Sequence, residues 1–298
     1  ARAEFEHALS LRKGDCDSAG TARTHGAIGR VCMDLGDYDS AKSHFKRDLA
    51  ILDKQAGGDH KIRGQLMTEI GRCSLKLGQI EKAEIMLSKG SDLATTTGNT
   101  AAIAFAALGL GEVALRQSDL ATARRQVGKA MRFARQSQPV DLRNELLGLS
   151  HKLSAEVFLA RNSSGRALAE CVRAKDHLFK SSYTSPVKKA ELLDYCATVE
   201  RNARRYEKEA VLLIESLEHL DTTTADDLRD SIEEKLNRWH PDLFLQHAAG
   251  RIVGGRQSSE ILRQTGATGF KGQKKNVVIL FSDLRSFTKI STKFPPRR

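Results

Sequence analysis

Several things are scarce in this sequence, and each scarcity closes off a class of protein. Aromatic residues make up 5% of its 298 residues, and that modest share beside abundant Ala, Leu, Lys, Arg and Glu favours helices in a chain long enough for two domains. Cysteine is sparse and odd in number: Cys16, Cys32, Cys73, Cys171 and Cys196 include no C-x-x-C pair. A disulfide framework or a zinc site is therefore not expected, and reduced thiols in a cytoplasmic protein are. No apolar run approaches the ~18 residues of a membrane span, and no secretory pattern opens the chain. The nine histidines are scattered, without zinc-site spacing, so His25 and His44 read as repeat-surface or packing residues. Acidic residues are nearly absent from one end only. From Ile261 onward nine Lys or Arg face a single acid, Asp283, which concentrates +8 of the formal net charge of +11 in that stretch. A basic lip beside a polyphosphate site, or a solvated linker, explains such a cluster better than a DNA-reading face, and no nucleic-acid partner is expected.

What is present is a period. Gly29, Gly36, Tyr38, Ala41 and Phe45 stand in the order small, small, aromatic, small, aromatic, with Gly36-Asp37-Tyr38 as a turn between two helices. Gly71, Gly78, Ile80, Ala83 and Leu87 repeat the order forty-two residues later at every position. A third copy has Gly111, Ser118, Leu120, Ala123, Val127 and Ala130; a fourth, Ala155, Asn162, Ala167, Cys171 and Ala174, keeps the small residues and loses the turn aromatic. Ala1, Phe5, Ala8 and Leu9 copy the second helix of the unit, so the chain opens mid-repeat. A degenerate pair runs from Pro186 to about Leu220, with Tyr206 at a turn-like position and Leu213 and Leu217 on its second helix. Gly109-Leu110-Gly111 lies inside an Ala-rich helical pattern, where close helix packing accounts for it better than dinucleotide binding does.

The small-turn-Ala-x-x-x-aromatic order resembles the tetratricopeptide repeat, in which small residues let antiparallel helices approach and a large one fills the gap to the next pair. The period exceeds the usual ~34 residues and overlaps the HEAT and armadillo range, but those families do not place these residues in this order. Loops such as Gln55 to His60 absorb the extra length. The resemblance implies a concave, helix-lined groove that binds a peptide or protein partner, although no single groove residue stands out from the solvated charges around it.

Beyond the repeats, Thr222 to Thr224 offer caps to a helix over 225–239 with Asp226 and Asp227 in its first turn. Its Leu228, Ile232, Leu236 and Trp239 form one narrow stripe, suited to docking on the last repeat or to pairing with a second copy. Val277 to Phe281 is then an apolar, β-rich run suited to a buried strand, followed at once by Ser282 and Asp283 and by a helix start over Ser286 to Ile290. A carboxylate where strand, turn and helix meet suits a divalent metal and a phosphate. Phe281-Ser282-Asp283-Leu284-Arg285-Ser286-Phe287-Thr288 is similar to the first motif of class III adenylate and guanylate cyclase catalytic domains, and Ser291 and Pro295-Pro296 continue the match. Ser286 is a mild departure from the family's usual glycine. Arg238 to Leu243 also looks like the Arg-aromatic-x-Pro segment that precedes many bacterial-type cyclase domains; a proline at a helix start accounts for the same residues.

By that resemblance Asp283 is the first of two aspartates holding a pair of Mg²⁺ or Mn²⁺ ions, the Leu284 carbonyl completes the site, and backbone N–H groups of Phe287 and Thr288 cradle the triphosphate of ATP or GTP. The metals then assist attack of the ribose 3′-hydroxyl on the α-phosphate. The second aspartate and the base-reading residues of the family lie past Arg298, so no catalytic set is complete in this chain, no cyclisation is expected of it alone, and cAMP and cGMP stay equally open. The missing start methionine suggests a piece of a longer protein, in which a membrane anchor elsewhere stays open.

The expected architecture is thus mainly α: a tetratricopeptide-type helical-hairpin solenoid, a helical linker, and the first strand and helix start of an α+β cyclase domain. Residues 1–20 hold the second helix of a truncated repeat. Repeats follow over 21–220, at about 21–60, 61–100, 101–140, 141–184 and a degenerate 185–220; 221–275 is the helical linker and loop, and 276–298 the start of the catalytic domain. The expected function is the regulatory region of a cytoplasmic nucleotidyl cyclase that homodimerises through its catalytic domain. The alternative is a non-enzymatic adaptor whose repeats bind peptides or proteins.

Overall fold

A computed structural model describes His7 and residues 18–54, 59–220 and 225–253. Among these residues every regular element is a helix: α1 Ser18–Asp34, α2 Tyr38–Lys54, α3 His60–Lys76, α4 Ile80–Thr96, α5 Thr100–Arg116, α6 Leu120–Gln136, α7 Val140–Ala160, α8 Ser164–Lys180, α9 Pro186–Asn202, α10 Tyr206–Leu220, α11 Asp226–Trp239 and α12 Pro241–Val253. The chain divides into two units, Ala1–His247 and Ala248–Arg298. In the first, α1 to α10 pack as successive antiparallel hairpins, each against the next, and α11 lies on α10. The segment read as strand, turn and helix start over 276–290 lies outside the described residues, as do the opening half-repeat and Thr222 to Thr224.

One turn recurs at every hairpin. Gly36, Gly78, Ser118, Asn162 and Arg204 all have positive φ, between 56° and 78°. In each case the following N–H donates to the carbonyl five residues earlier: Asp37 to Cys32, Gln79 to Ser74, Asp119 to Ala114, Ser163 to Phe158 and Arg205 to Glu200, at 2.8–2.9 Å. This satisfies carbonyls that the end of the first helix would otherwise leave open, and the left-handed residue reverses the chain. Glycine takes that conformation without cost and asparagine adopts it readily, whereas Arg204 carries a steric penalty of about 1 kcal/mol. Two of the second helices are capped by the side chain of the residue after the turn: Asp37 accepts from the Ser40 N–H at 3.1 Å and Asp119 from the Thr122 N–H at 2.9 Å, whereas Gln79 and Ser163 make no such bond.

The small residues of the period set how closely the helices approach. A Cβ on Gly29 would fall 2.6 Å from the Phe45 ring, and one on Gly71 2.7 Å from Leu87. Ala41, Ala83, Ala123 and Ala167 are all completely buried. Gly109 lies under Leu87 and Gly111 under Leu153, which makes that glycine pair a contact between neighbouring hairpins. Cys32, Cys73, Cys171 and Cys196 are buried free thiols, and burial, with Glu69 nearby, pushes Cys73 up to about 12.

The stripe on α11 is taken up by the last hairpin. Ile232 and Leu236 are fully buried with Ala190, Ala197, Leu213, Leu217 and Leu220, while Leu228 and Trp239 flank them. Each of these two buried side chains stabilises the docking by about 1.5–3 kcal/mol. Of the two uses open to that stripe in the sequence, docking on the repeats is the one observed. The N-cap is Ala225, which makes no side-chain bond. Arg201 ties the end of the array together: its guanidinium stacks 3.8 Å from the Trp239 ring centroid and donates to the fully buried Glu209 at 3.1 Å. Pro241 begins α12, where the missing N–H costs nothing.

Candidate functional site

The first helix of every hairpin, α1, α3, α5, α7 and α9, turns one face toward a common interior, and these faces enclose a groove of about 910 Å³. Helical periodicity selects the lining. On α3 it is Lys61, Gln65, Glu69, Arg72 and Lys76, and on α7 Leu142, Glu145, Leu149, Lys152 and Glu156, each set at intervals of three or four. The first turn of α11, Asp226 to Leu228, also borders the groove. Leu142, Phe105 and Leu149 are half-buried and give the wall apolar patches.

Charge alternates across the groove. Arg72 donates to Glu69 at 2.9 Å and lies 4.8 Å from the Phe105 ring centroid. Burial opposes its charge, but Glu69, Glu112 and Glu145 outweigh burial and raise its pKa. Lys152 bonds Glu156 at 2.9 Å and sits over the Tyr195 ring; burial again opposes its charge, while Glu156, Glu112 and Glu191 hold its pKa above that of an ordinary lysine. Lys188 contacts Glu145 and Asp34, both at 3.2 Å. The Asp34 contact joins α9 to α1, so an ion pair spans the groove between the first hairpin and the last. The lining holds eight carboxylates against six cations, whereas the chain as a whole carries +11.

Two other polar insertions lie between paired helices. In the first hairpin the Nδ1 atoms of His25 and His44 are 2.9 Å apart, and both His25 and Asp48 are buried. Burial, then His44 and Arg47, lowers the pKa of His25, while burial pushes Asp48 up to about 6 despite Arg30. In the fourth hairpin His151 Nδ1 meets Glu170 at 2.7 Å, Glu170 also pairs with Arg173, and His177 stacks on His151. His25 and His44 thus pack against each other, and among the described residues no three His, Cys, Asp or Glu form a group able to hold a metal ion.

Asp283, Leu284, Phe287 and Thr288 lie outside the described residues, so the structure neither assembles nor separates them. The groove residues were not named from the sequence. The available signal was charged residues at inner positions about one repeat apart, Arg72, Glu112 and Lys152, which stand forty residues from each other. No helix of the described residues is long and apolar enough to cross a membrane.

The family described as "Tetratricopeptide repeat" matches residues 20–96, which cover the first two hairpins. No curated protein matches the chain. Among solved structures, the crystal structure of BtubC (BKLC) from P. vanneervenii is similar in fold, with a TM-score of 0.52 and 12% identity over 80% of this chain and 89% of that one. These findings agree with the geometry: the first two hairpins match the tetratricopeptide repeat, and antiparallel helix pairs continue through α10.

Proposed function

We propose that this chain is a protein-interaction module whose inner groove holds an extended segment of a partner. The carrying observation is the groove itself, about 910 Å³ of space walled by first helices with apolar patches among charged groups. A surface of this kind exposes backbone-length room and side-chain pockets, which is what recognition of a peptide requires. Tetratricopeptide repeats suggest the same role. The test places a photo-crosslinking residue at Gln65, exposed in the groove, or at Val172, 70% exposed and outside it. Partner adducts from position 65 alone support the reading, and equal adducts from both positions defeat it.

A second reading rests on the sequence Asn276 to Thr288. There the array is the signal-receiving region of a class III nucleotidyl cyclase, cytoplasmic and active as a homodimer, which makes a cyclic nucleotide from ATP or GTP. Asp283 and the Leu284 carbonyl hold Mg²⁺ or Mn²⁺, and the Phe287 and Thr288 N–H groups hold phosphate. The two readings are compatible, because a cyclase also needs a surface through which its partner acts. Cyclic nucleotide formation by the complete gene product, lost in Asp283→Ala with the melting temperature unchanged, supports this assignment; activity retained in that variant removes it.

A further inference from the structure

The charges of the groove do not cancel locally. Glu69 is taken by Arg72, Glu156 by Lys152, and Glu145 by Lys188. Among the described residues Glu112 and Glu191 make neither an ion pair nor a side-chain hydrogen bond. Both face the groove: Glu112 is close enough to bias Arg72 and Lys152, and Glu191 to bias Lys152 and Tyr38. The exposed Asp226 and Asp227 continue the same sign at the groove's edge on α11.

Glu112 is half-buried and Glu191 exposed; a half-buried carboxylate with no direct partner keeps acceptor capacity that water fills only in part, and an exposed one beside it adds charge of the same sign. The neighbouring cations are already committed to other carboxylates, Arg72 to Glu69 and Lys152 to Glu156, so neither takes up the oxygens of Glu112. A guest that brings its own cations completes these bonds, and in a narrow, low-dielectric groove such bonds are stronger than on an open surface.

Resting on the reading of the groove as a peptide site, we infer that its guest is a basic segment of a partner protein, whose Lys or Arg side chains are taken by Glu112, Glu191 and the Asp226-Asp227 pair. The sign is informative because it opposes the net charge of the whole chain, +11. Non-specific attraction would gather acidic peptides, so a preference for a basic one has to come from a local site.

The experiment measures fluorescence anisotropy of two labelled decapeptides, alternating Ala-Lys and alternating Ala-Glu, on the full chain and on a Glu112→Gln, Glu191→Gln variant whose helicity and melting are checked by circular dichroism. The Ala-Lys peptide is expected to bind about tenfold more tightly than Ala-Glu, to weaken with added salt, and to lose about tenfold in the variant. Equal binding to variant and parent chain overturns the inference. Preference for Ala-Glu also overturns it but leaves the peptide-groove reading standing; binding of neither peptide, together with equal crosslinking at positions 65 and 172, defeats both. Sedimentation of the free chain covers the remaining occupant: a dimer abolished by the same substitutions identifies a second copy as the guest and overturns assignment to a partner protein.

Discussion

The first and fourth hairpins show what one architecture tolerates at matched positions. They stand 126 residues apart in register, and at that offset His25 answers to His151, His44 to Glu170, Asp48 to Ala174, Gly29 to Ala155 and Phe45 to Cys171. The helices pair in the same way, but the chemistry between them differs. In the fourth hairpin a histidine meets a carboxylate that also holds an arginine, so donors and acceptors match whether or not the ring is protonated. In the first, two rings meet nitrogen to nitrogen, which requires that one supply a proton and the other a lone pair. Protonating both removes the acceptor. The buried Asp48 adds a second ionisation disfavoured by the fold. The lesson is that small-residue spacing fixes the backbone of a hairpin, while its pH response is set by two or three residues free to vary inside that spacing.

The largest test of this comparison concerns the spacing. Gly29→Ala forces a Cβ to 2.6 Å from the fully buried Phe45 ring and should cost about 1–3 kcal/mol. The matched change Ala155→Gly makes no clash and should cost only about 1 kcal/mol, from helix propensity. Denaturant titration of both variants checks the order, and equal losses mean that the glycine is not what permits Phe45 to pack.

Next in size is Asp48→Ala, which copies the fourth hairpin. Burial pushes Asp48 up to about 6, above the 3.8 of an ordinary aspartate, so its ionisation destabilises the fold above pH 6 and the penalty fades as pH falls toward 3.8. The substitution should therefore stabilise the protein by about 1–2 kcal/mol at pH 7 and by nothing near pH 4. His25 works in the opposite sense: its lowered pKa means that stability is lost as pH falls from 6.5 through the folded value. Melting curves between pH 4 and 8 separate the two. A gain from Asp48→Ala that does not depend on pH shows packing, not charge, to be responsible.

The smallest expected effects come from exchanging the partners. His44→Glu gives His25 a carboxylate and should raise its titration midpoint by about one unit, read from its ring-proton NMR shifts. Glu170→His should introduce acid sensitivity below pH 6.5 in the fourth hairpin. If neither exchange moves the pH response, the environment of each hairpin matters more than the paired side chain.

Much of the hairpin geometry was legible because its determinants are local. Gly36, Gly78, Ser118 and Asn162 stand in register as small or turn-prone residues, and each sits at the left-handed turn. Arg204 completes that series in the structure, yet nothing in an arginine signals positive φ; the register of its neighbours forces it there. The docking of α11 was legible only as one of two uses for an apolar stripe, because a stripe does not say what covers it. A groove was implied by the repeat resemblance, but the residues that line it were not legible. Arg72, Glu112 and Lys152 look like solvated charges on separate helices until the curvature of the array turns them inward. For residues 276–288 the legible part is a family resemblance, carried by sequence alone.

The contact between Asp34 and Lys188 bears on how quickly a guest can enter. Its side chains are 48% and 31% exposed, and an ion pair so accessible to water is worth at most about 1 kcal/mol. A gate of that strength is broken in an appreciable share of molecules, so this bridge across the groove opens and closes thermally. Lys188 remains anchored by Glu145 when Asp34 lets go, which leaves the wall intact. Salt then acts on entry in two opposed ways: it loosens the gate and speeds access, and it screens the attraction that draws a charged guest inward. The association rate is expected to pass through a maximum with ionic strength, whereas the affinity only declines.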